Sequence, residues 1–217
     1  MHLVGPIERV LRLLACFNVQ HDGVSLTDLA QQVNLAPSTT SRLLKVLERY
    51  GYVRRGTDRL YRLGPQIVQL GLVALREMSL YETAQPHLRL LAEATGESVQ
   101  LGVLTGKDVL YIDHVASQQL VQVTPWAGRT VPLDGTAIGA AIQGRVCSAG
   151  YIATRDTIDP DVSSAAAPVF GQSGTIVGAI NVIGPTYRIS DEQLTQIGLL
   201  VAEHARQISK KLGAMQV

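Results

Sequence analysis

Cysteine is scarce in this 217-residue chain. Cys16 and Cys147 stand far apart, with no CxxC pair and no Cys/His cluster at metal spacing, so neither a disulfide framework nor a zinc site is expected. Two reduced thiols packed as small hydrophobes are the expectation. Aromatic residues make up only 5% of the chain, and no uncharged apolar run approaches the roughly 18 to 20 residues of a bilayer span. Glu8 and Arg9 interrupt the region where a signal peptide keeps its apolar core, so no secretion signal is read and the expected compartment is the cytoplasm, with no membrane partner. Gly-rich phosphate loops, carboxylate dyads, internal repeats and low-complexity tracts are missing too. Cys147, His114 and Asp113 come nearest to a nucleophile, base and orienter, but they fall in separate segments. The Asp113-His114 pair reads as an exposed strand end. No catalytic residue, metal or cofactor is therefore expected.

Charge of one sign is also lacking overall, since the net charge is only +1. The balance is uneven along the chain. Up to Met78 there are ten Lys/Arg against six Asp/Glu, and beyond it nine against twelve, giving +4 and −3. A basic first domain on a mildly acidic body suits a protein that meets a polyanion with one end.

Apolar residues from Ile7 to Phe17 recur at helical spacing and predict a first helix. Ser25 with Asp28 reads as the N-cap of a short helix from about Leu26 to Val33. Pro37, with no amide hydrogen to lose, suits the first position of a third helix that runs to about Tyr50 and stops at Gly51. Two β-prone segments, Tyr52 to Arg55 and Leu60 to Leu63, flank the turn residues Gly56, Thr57 and Asp58. That order is a helix-turn-helix with a wing. Pro65 to Met78 and Leu80 to Thr95 are again helical in pattern. Beyond Ser98 the period shortens towards two in "SVQLGVL", "VLYIDHV", "LVQVTPW", "SAAAPVF" and "TIVGAINVIG", with a short small-residue helix in "DGTAIGAAI". A capping box, Ser190 with Gln193, opens a last helix with one apolar stripe. The expected fold class is α+β: a winged helix-turn-helix domain (residues 1–64), a linker helix (65–79) and an antiparallel sheet domain flanked by helices (80–217).

In the third helix Ser38 or Thr39, Arg42, Lys45 and Arg49 share one face, and Leu43, Leu47 and Tyr50 another. A recognition helix meets DNA through its first turns, where hydroxyls and an arginine reach base edges and phosphates. Ser38, Thr39, Thr40 and Arg42 are the expected readers of double-stranded DNA. Lys45, Arg49 and the wing arginines Arg54, Arg55, Arg59 and Arg62 are placed for phosphates.

These segments, with "HLRLLAEATGESVQLGVLTGKDVLYID", "GRTVPLDGTAIGAAI" and "AAPVFGQSGTIVGAINVIGP", make the chain resemble the IclR family of bacterial transcriptional regulators over nearly its whole length. The resemblance implies a GAF-like or PAS-like second domain that binds a small organic effector, and assembly as a homodimer or dimer of dimers on a palindromic operator. Carried over position by position, the effector lining comprises Val123, Trp126, Val131, Thr136, Ala137 and Ile138, with Thr154, Val162, Ser164, Asn181 and Ile183 from the strands. That lining has no cation and no carboxylate, so a neutral or weakly polar metabolite is as well suited to it as an organic acid; Arg129 or Arg155 would have to supply charge. Relatives carry roughly 25 to 35 residues between the small-residue helix and the strand near "GYIAT", longer than ordinary connections, where this chain has almost none. The second domain is thus expected to be shortened. The alternative is a ligand-independent regulator whose second domain serves only oligomerisation.

Overall fold

The computed structural model describes residues 5–17, 22–120, 126–155 and 161–214. Two compact units divide at Glu77 and Met78.

The first unit opens with α1 (Pro6–Ala15), α2 (Leu26–Gln32) and α3 (Pro37–Arg49). Leu13 of α1 is fully buried, whereas Ile7 and Leu11 of the same apolar pattern stay exposed. Ser25 caps α2 as its spacing predicts, accepting from the Asp28 amide at 3.2 Å and donating to the Asp28 carboxylate at 2.7 Å. Asn34 takes a left-handed φ of 53° in the turn before α3, a conformation asparagine tolerates better than most residues. Pro37 stands at the start of α3. The wing is a two-stranded antiparallel ribbon, β1 (Val53–Arg55) and β2 (Tyr61–Leu63), with Val24 adding a single bridge to Tyr61. Leu13, Val24, Leu29, Val33, Leu44, Leu47, Val53 and Tyr61 form the core. A side chain at Gly64 would collide with the Gly51 carbonyl, so the wing closes tightly against the end of α3.

Arg62, read from the sequence as a DNA contact, instead holds the wing together. Its guanidinium makes two bonds to Asp58, at 3.1 and 2.8 Å, and reaches Asp22 at 3.3 Å. These bonds hold the Asp58 carboxyl down at about 2, helped by the Leu60 amide. The unit ends in α4 (Pro65–Glu77), which buries none of its residues and exposes Val68, Leu70, Leu72 and Val73.

The second unit starts with α5 (Ser79–Thr95), closed by Gly96 at a φ of 72°. It continues through β3 (Ser98–Thr105), β4 (Asp108–Val115), β5 (Thr130–Pro132), α6 (Ala137–Ile142), β6 (Ile152–Arg155), β7 (Val162–Phe170), β8 (Ile176–Pro185) and α7 (Asp191–Lys211). Residues 121–125 of the strand expected over Leu120 to Trp126 lie outside the described residues. The six strands form one antiparallel sheet in the order β5-β4-β3-β8-β7-β6. On one face, Val99, Leu101, Ala165, Ala167, Ile180 and Val182 pack against Leu88 and Leu91 of α5 and Val201, Ala205 and Ile208 of α7. Among the described residues the other face carries α6, with Ala137, Ile138 and Ala141 seated on Val109, Tyr111, Ala166 and Ala179. Ser190 and Gln193 complete a reciprocal capping box at the start of α7.

Beside that cap the Glu97 carboxylate, 6% exposed, meets the Arg188 guanidinium through bonds of 2.6 and 2.7 Å. Arg188→Met would leave a buried charge without its partner, an expected loss of about 3 kcal/mol in urea unfolding; an unchanged midpoint would show that the pair does not hold the α7 entrance. In the wing, the depressed Asp58 value means that the contribution of this ion pair is complete above about pH 4 and is lost as pH falls through about 2. An NMR titration should give that midpoint for Asp58, moving back towards the ordinary carboxylate range in Arg62→Ala.

Candidate functional site

The exposed side of α3 is polar and positive. Ser38, Arg42, Lys45 and Arg49 are exposed and Thr39 is half-buried. No side chain caps α3, because its N-cap is Ala36 and Pro37 follows. Its first-turn amides thus have no side-chain acceptor among the described residues. Thr40 is a correction: it is fully buried, and its hydroxyl donates to the Ala36 carbonyl at 3.2 Å. It belongs to the packed side of the helix and cannot reach a base. Tyr50 departs from expectation in the other sense, 65% exposed at the helix end rather than packed.

In the wing Arg54 and Arg55 are exposed on β1, and Arg59 is exposed at the tip with a φ of 65°. The Arg55 guanidinium lies 5.4 Å from the Tyr61 ring centre and its Nε donates to the Arg59 carbonyl at 3.4 Å. That stacking limits the positions its charge can take.

The α6 face of the large sheet is the second place where polar side chains collect. Alternation along β3 and β8 turns Gln100 and Asn181 away from α5 and α7, and the two residues stand opposite each other in register. On the other side of Gln100 stands His114 of β4. It reaches this face through a bulge: Gly102 pairs with Tyr111 and Leu101 with Asp113, so one residue of β4 is skipped. Tyr111 packs with α6, Ile112 and Val115 pack with the opposite core, and Asp113 accepts from Gln85 of α5 at 3.3 Å. Without the bulge His114 would point towards α5.

Three neighbouring strands thereby set His114, Gln100 and Asn181 side by side at a strand spacing of about 4.8 Å. Gln100 is fully buried and Asn181 is 2% exposed. Both polar atoms of Gln100, both ring nitrogens of His114 and the Asn181 Oδ1 are buried without a hydrogen-bond partner among the described residues. The Asn181 Nδ2 donates to the Ser164 hydroxyl at 3.2 Å. Burial lowers the His114 value against the opposing pull of Asp113, favouring a neutral ring. The Arg129 Nε is a further buried donor without a partner among these residues.

The carried-over lining divides into several groups. Val123 lies outside the described residues. Thr154, Ser164 and Ile183 meet in register across β6, β7 and β8 beside the polar row, with Val162 half-buried at the start of β7. Thr136 uses its hydroxyl to cap α6, accepting from the Gly139 amide at 3.0 Å and donating to the Pro132 carbonyl at 3.1 Å. Val131, Ala137 and Ile138 are core residues beneath α6. Trp126 joins that core edge-on to Tyr111, with ring centres 5.9 Å apart. Arg155 is engaged elsewhere, bonded to Asp191, Ser163 and the Ile189 carbonyl.

Gln100 and His114 stand outside the lining expected from the sequence. The sequence signal for Gln100 was a lone amide inside an otherwise apolar strand. His114 looked like an exposed strand end because the bulge that turns it inward leaves no local mark. Cys147 precedes β6 while His114 sits on β4, and three strands separate them, about 19 Å at the ordinary spacing. No nucleophile and base are brought together by that pair. Among the described residues no cluster of three His, Cys, Asp or Glu could hold a metal ion, and no helix is long and apolar enough to cross a membrane.

Residues 6–56 match the model of the IclR helix-turn-helix domain. The model of the bacterial transcriptional regulator IclR C-terminal domain matches residues 72–144 and 144–210, in two segments that meet at Gly144, where the shortening was expected. The HTH-type transcriptional regulator BhcR of Paracoccus denitrificans is 27% identical over 242 residues, an alignment covering 95% of this chain and 86% of the relative. That span exceeds the 217 residues present here, so the relative has residues with no counterpart in this chain. Among solved structures, an IclR transcriptional regulator from Silicibacter sp. TM1040 superposes with a TM-score of 0.80 at 25% identity, over 98% of both chains. An IclR homolog from Microbacterium hydrocarbonoxydans, solved in complex with 4-hydroxybenzoate, has the same fold, with a TM-score of 0.80 at 22% identity over 94% of this chain and 97% of that one. Both units are matched by the family's models, and the protein belongs to the IclR family of DNA-binding transcriptional regulators, a family of regulators and not of enzymes.

Proposed function

We propose that this regulator changes its affinity for DNA when a small organic effector occupies the α6 face of its large sheet. The observation that carries the reading is the buried row of His114, Gln100 and Asn181, whose polar atoms lack partners among the described residues. Leaving such atoms unpaired is costly, and a folded chain keeps them where a ligand or ordered water completes them. Ser164 and Thr154 extend the polar surface in register. The fold-level relative that holds 4-hydroxybenzoate makes aromatic acids one class to screen.

On the DNA side, Ser38, Thr39 and Arg42 are the proposed base readers, with Lys45, Arg49, Arg54, Arg55 and Arg59 on phosphates. The uncapped start of α3 supports an additional phosphate contact at its free amides. A palindromic operator and a homodimer or dimer of dimers in the cytoplasm complete the proposal; the exposed Val68, Leu70, Leu72 and Val73 of α4 support association between copies. Effector binding would act as a population shift transmitted through α4 to the spacing of paired wings.

The interrupted match at Gly144 favours a second reading, in which the shortened unit only oligomerises. Thermal-shift screening separates the two. Stabilisation by a compound that also changes operator affinity supports the effector reading, whereas no stabilisation across organic acids, phenolics and amino acids, with assembly intact, supports the second. For the DNA face, Arg42→Ala should weaken operator binding by about 1 to 3 kcal/mol in fluorescence anisotropy. An unchanged affinity and footprint would remove α3 from the base-reading role.

A further inference from the structure

We infer that the His114-Gln100-Asn181 row selects the effector, and that it takes the edge of a carboxamide or lactam, an N–H donor beside a carbonyl, in preference to a bare carboxylate. The inference rests on the effector reading and adds its chemistry.

The unfilled hydrogen-bonding capacity of the row is mixed in kind. Gln100 offers a carbonyl oxygen and an NH2 group, both without partners among the described residues. A neutral His114 offers one N–H and one lone pair. One hydrogen of the Asn181 Nδ2 goes to Ser164, so Oδ1 is the Asn181 side-chain atom left wholly without a partner among the described residues. Three acceptors therefore wait beside two donor groups. A carboxylate could satisfy the donors, but it would set its own oxygens against three lone-pair acceptors, in a row where no cationic group stands between them. An amide edge matches Gln100 with two parallel bonds, N–H to Oε1 and C=O to Nε2, the same pairing by which a Gln side chain meets a donor-acceptor edge in a nucleobase. A remaining ligand N–H or O–H then has the Asn181 Oδ1 and the free His114 nitrogen to meet.

Burial sharpens the selection. In a dry site an unmatched acceptor has no water to turn to, so each mismatch lowers affinity by much more than it would at the surface. Water is the competing occupant of the row, and in that case the three side chains would be a hydrated structural element.

The test compares matched pairs on the full chain: nicotinamide against nicotinate, and 4-hydroxybenzamide against 4-hydroxybenzoate, each at about 10 mM. At least one amide should raise the melting temperature by about 3 °C or more, with its acid twin giving less. Gln100→Leu should abolish that shift while melting, without ligand, at or above the wild-type temperature. Asn181→Val serves as a second variant with the same expectation. If an acid stabilises as well as its amide or better, or if both amides are silent, the assigned ligand class is wrong; an acid that works leaves the effector reading intact. If no probe stabilises and both variants melt below the wild type, the row is hydrated structure and both readings fall.

Discussion

A strand has two faces, and a sheet of six strands presents two surfaces that must each be covered or made useful. Here the helices are divided unequally between them. The 17 residues of α5 and the 21 of α7 seal one face with an apolar core. The other receives the six residues of α6, about 9 Å of helix. Alanines at its contact with Ala166 and Ala179 let this short helix sit close, but its reach ends there. The period-two alternation that sends Val99, Leu101, Ile180 and Val182 into the first core sends Gln100, Asn181 and Ser164 to the second face. The bulge in β4 then adds His114. Buried polar side chains without partners among the described residues are what a ligand seat requires, and the seating of α6 on the sheet explains why ordinary packing accounts for Val131, Ala137 and Ile138.

In the first unit the deciding constraint is where hydroxyls fall relative to the start of a helix. Ser25, Thr136 and Ser190 each stand at the N-cap of their helix and use their oxygens there. At α3 the N-cap is an alanine followed by proline, and the hydroxyl residues come later. Ser38 and Thr39 are left to face outward, while Thr40 turns into the core and bonds backward to Ala36. A hydroxyl-rich turn that caps nothing, next to exposed Arg42 and Lys45, has the composition of a surface for phosphates and base edges.

Much of this was legible in the sequence because it is local. Ser25 with Asp28, Pro37, Gly51 and the Ser190-Gln193 box all act within four residues, and the structure places them as their spacing implies. What depended on distant partners was not legible. Arg62 reads as one more wing arginine until the hairpin folds it onto Asp58 and Asp22, 40 residues away, is brought beside it. The inward turn of His114 follows from how β4 is skipped against β3, a property of the pair of strands. Thr40 and Tyr50 show the limit of helical phase: a stripe gives a direction, and only the surrounding core decides where its edges lie. The short strands β5 and β6 carry too few residues to show a period. The family resemblance points to residues of β6, β7 and β8 but not to Gln100, because an amide inside an apolar strand has no meaning until its neighbours are known.

The central claim is that the α6 face is a buried polar seat, and the protonation of His114 tests it most directly. Long-range nitrogen-proton NMR on the full chain, assigned with His114→Gln, reports the charge and tautomer of that ring across pH. Because burial outweighs the attraction of Asp113, the ring should remain neutral through the ordinary histidine value of 6.5 and titrate below it. A titration at or above 6.5 would place His114 in water at a strand end, and the polar row would lose the residue that the bulge brings to it.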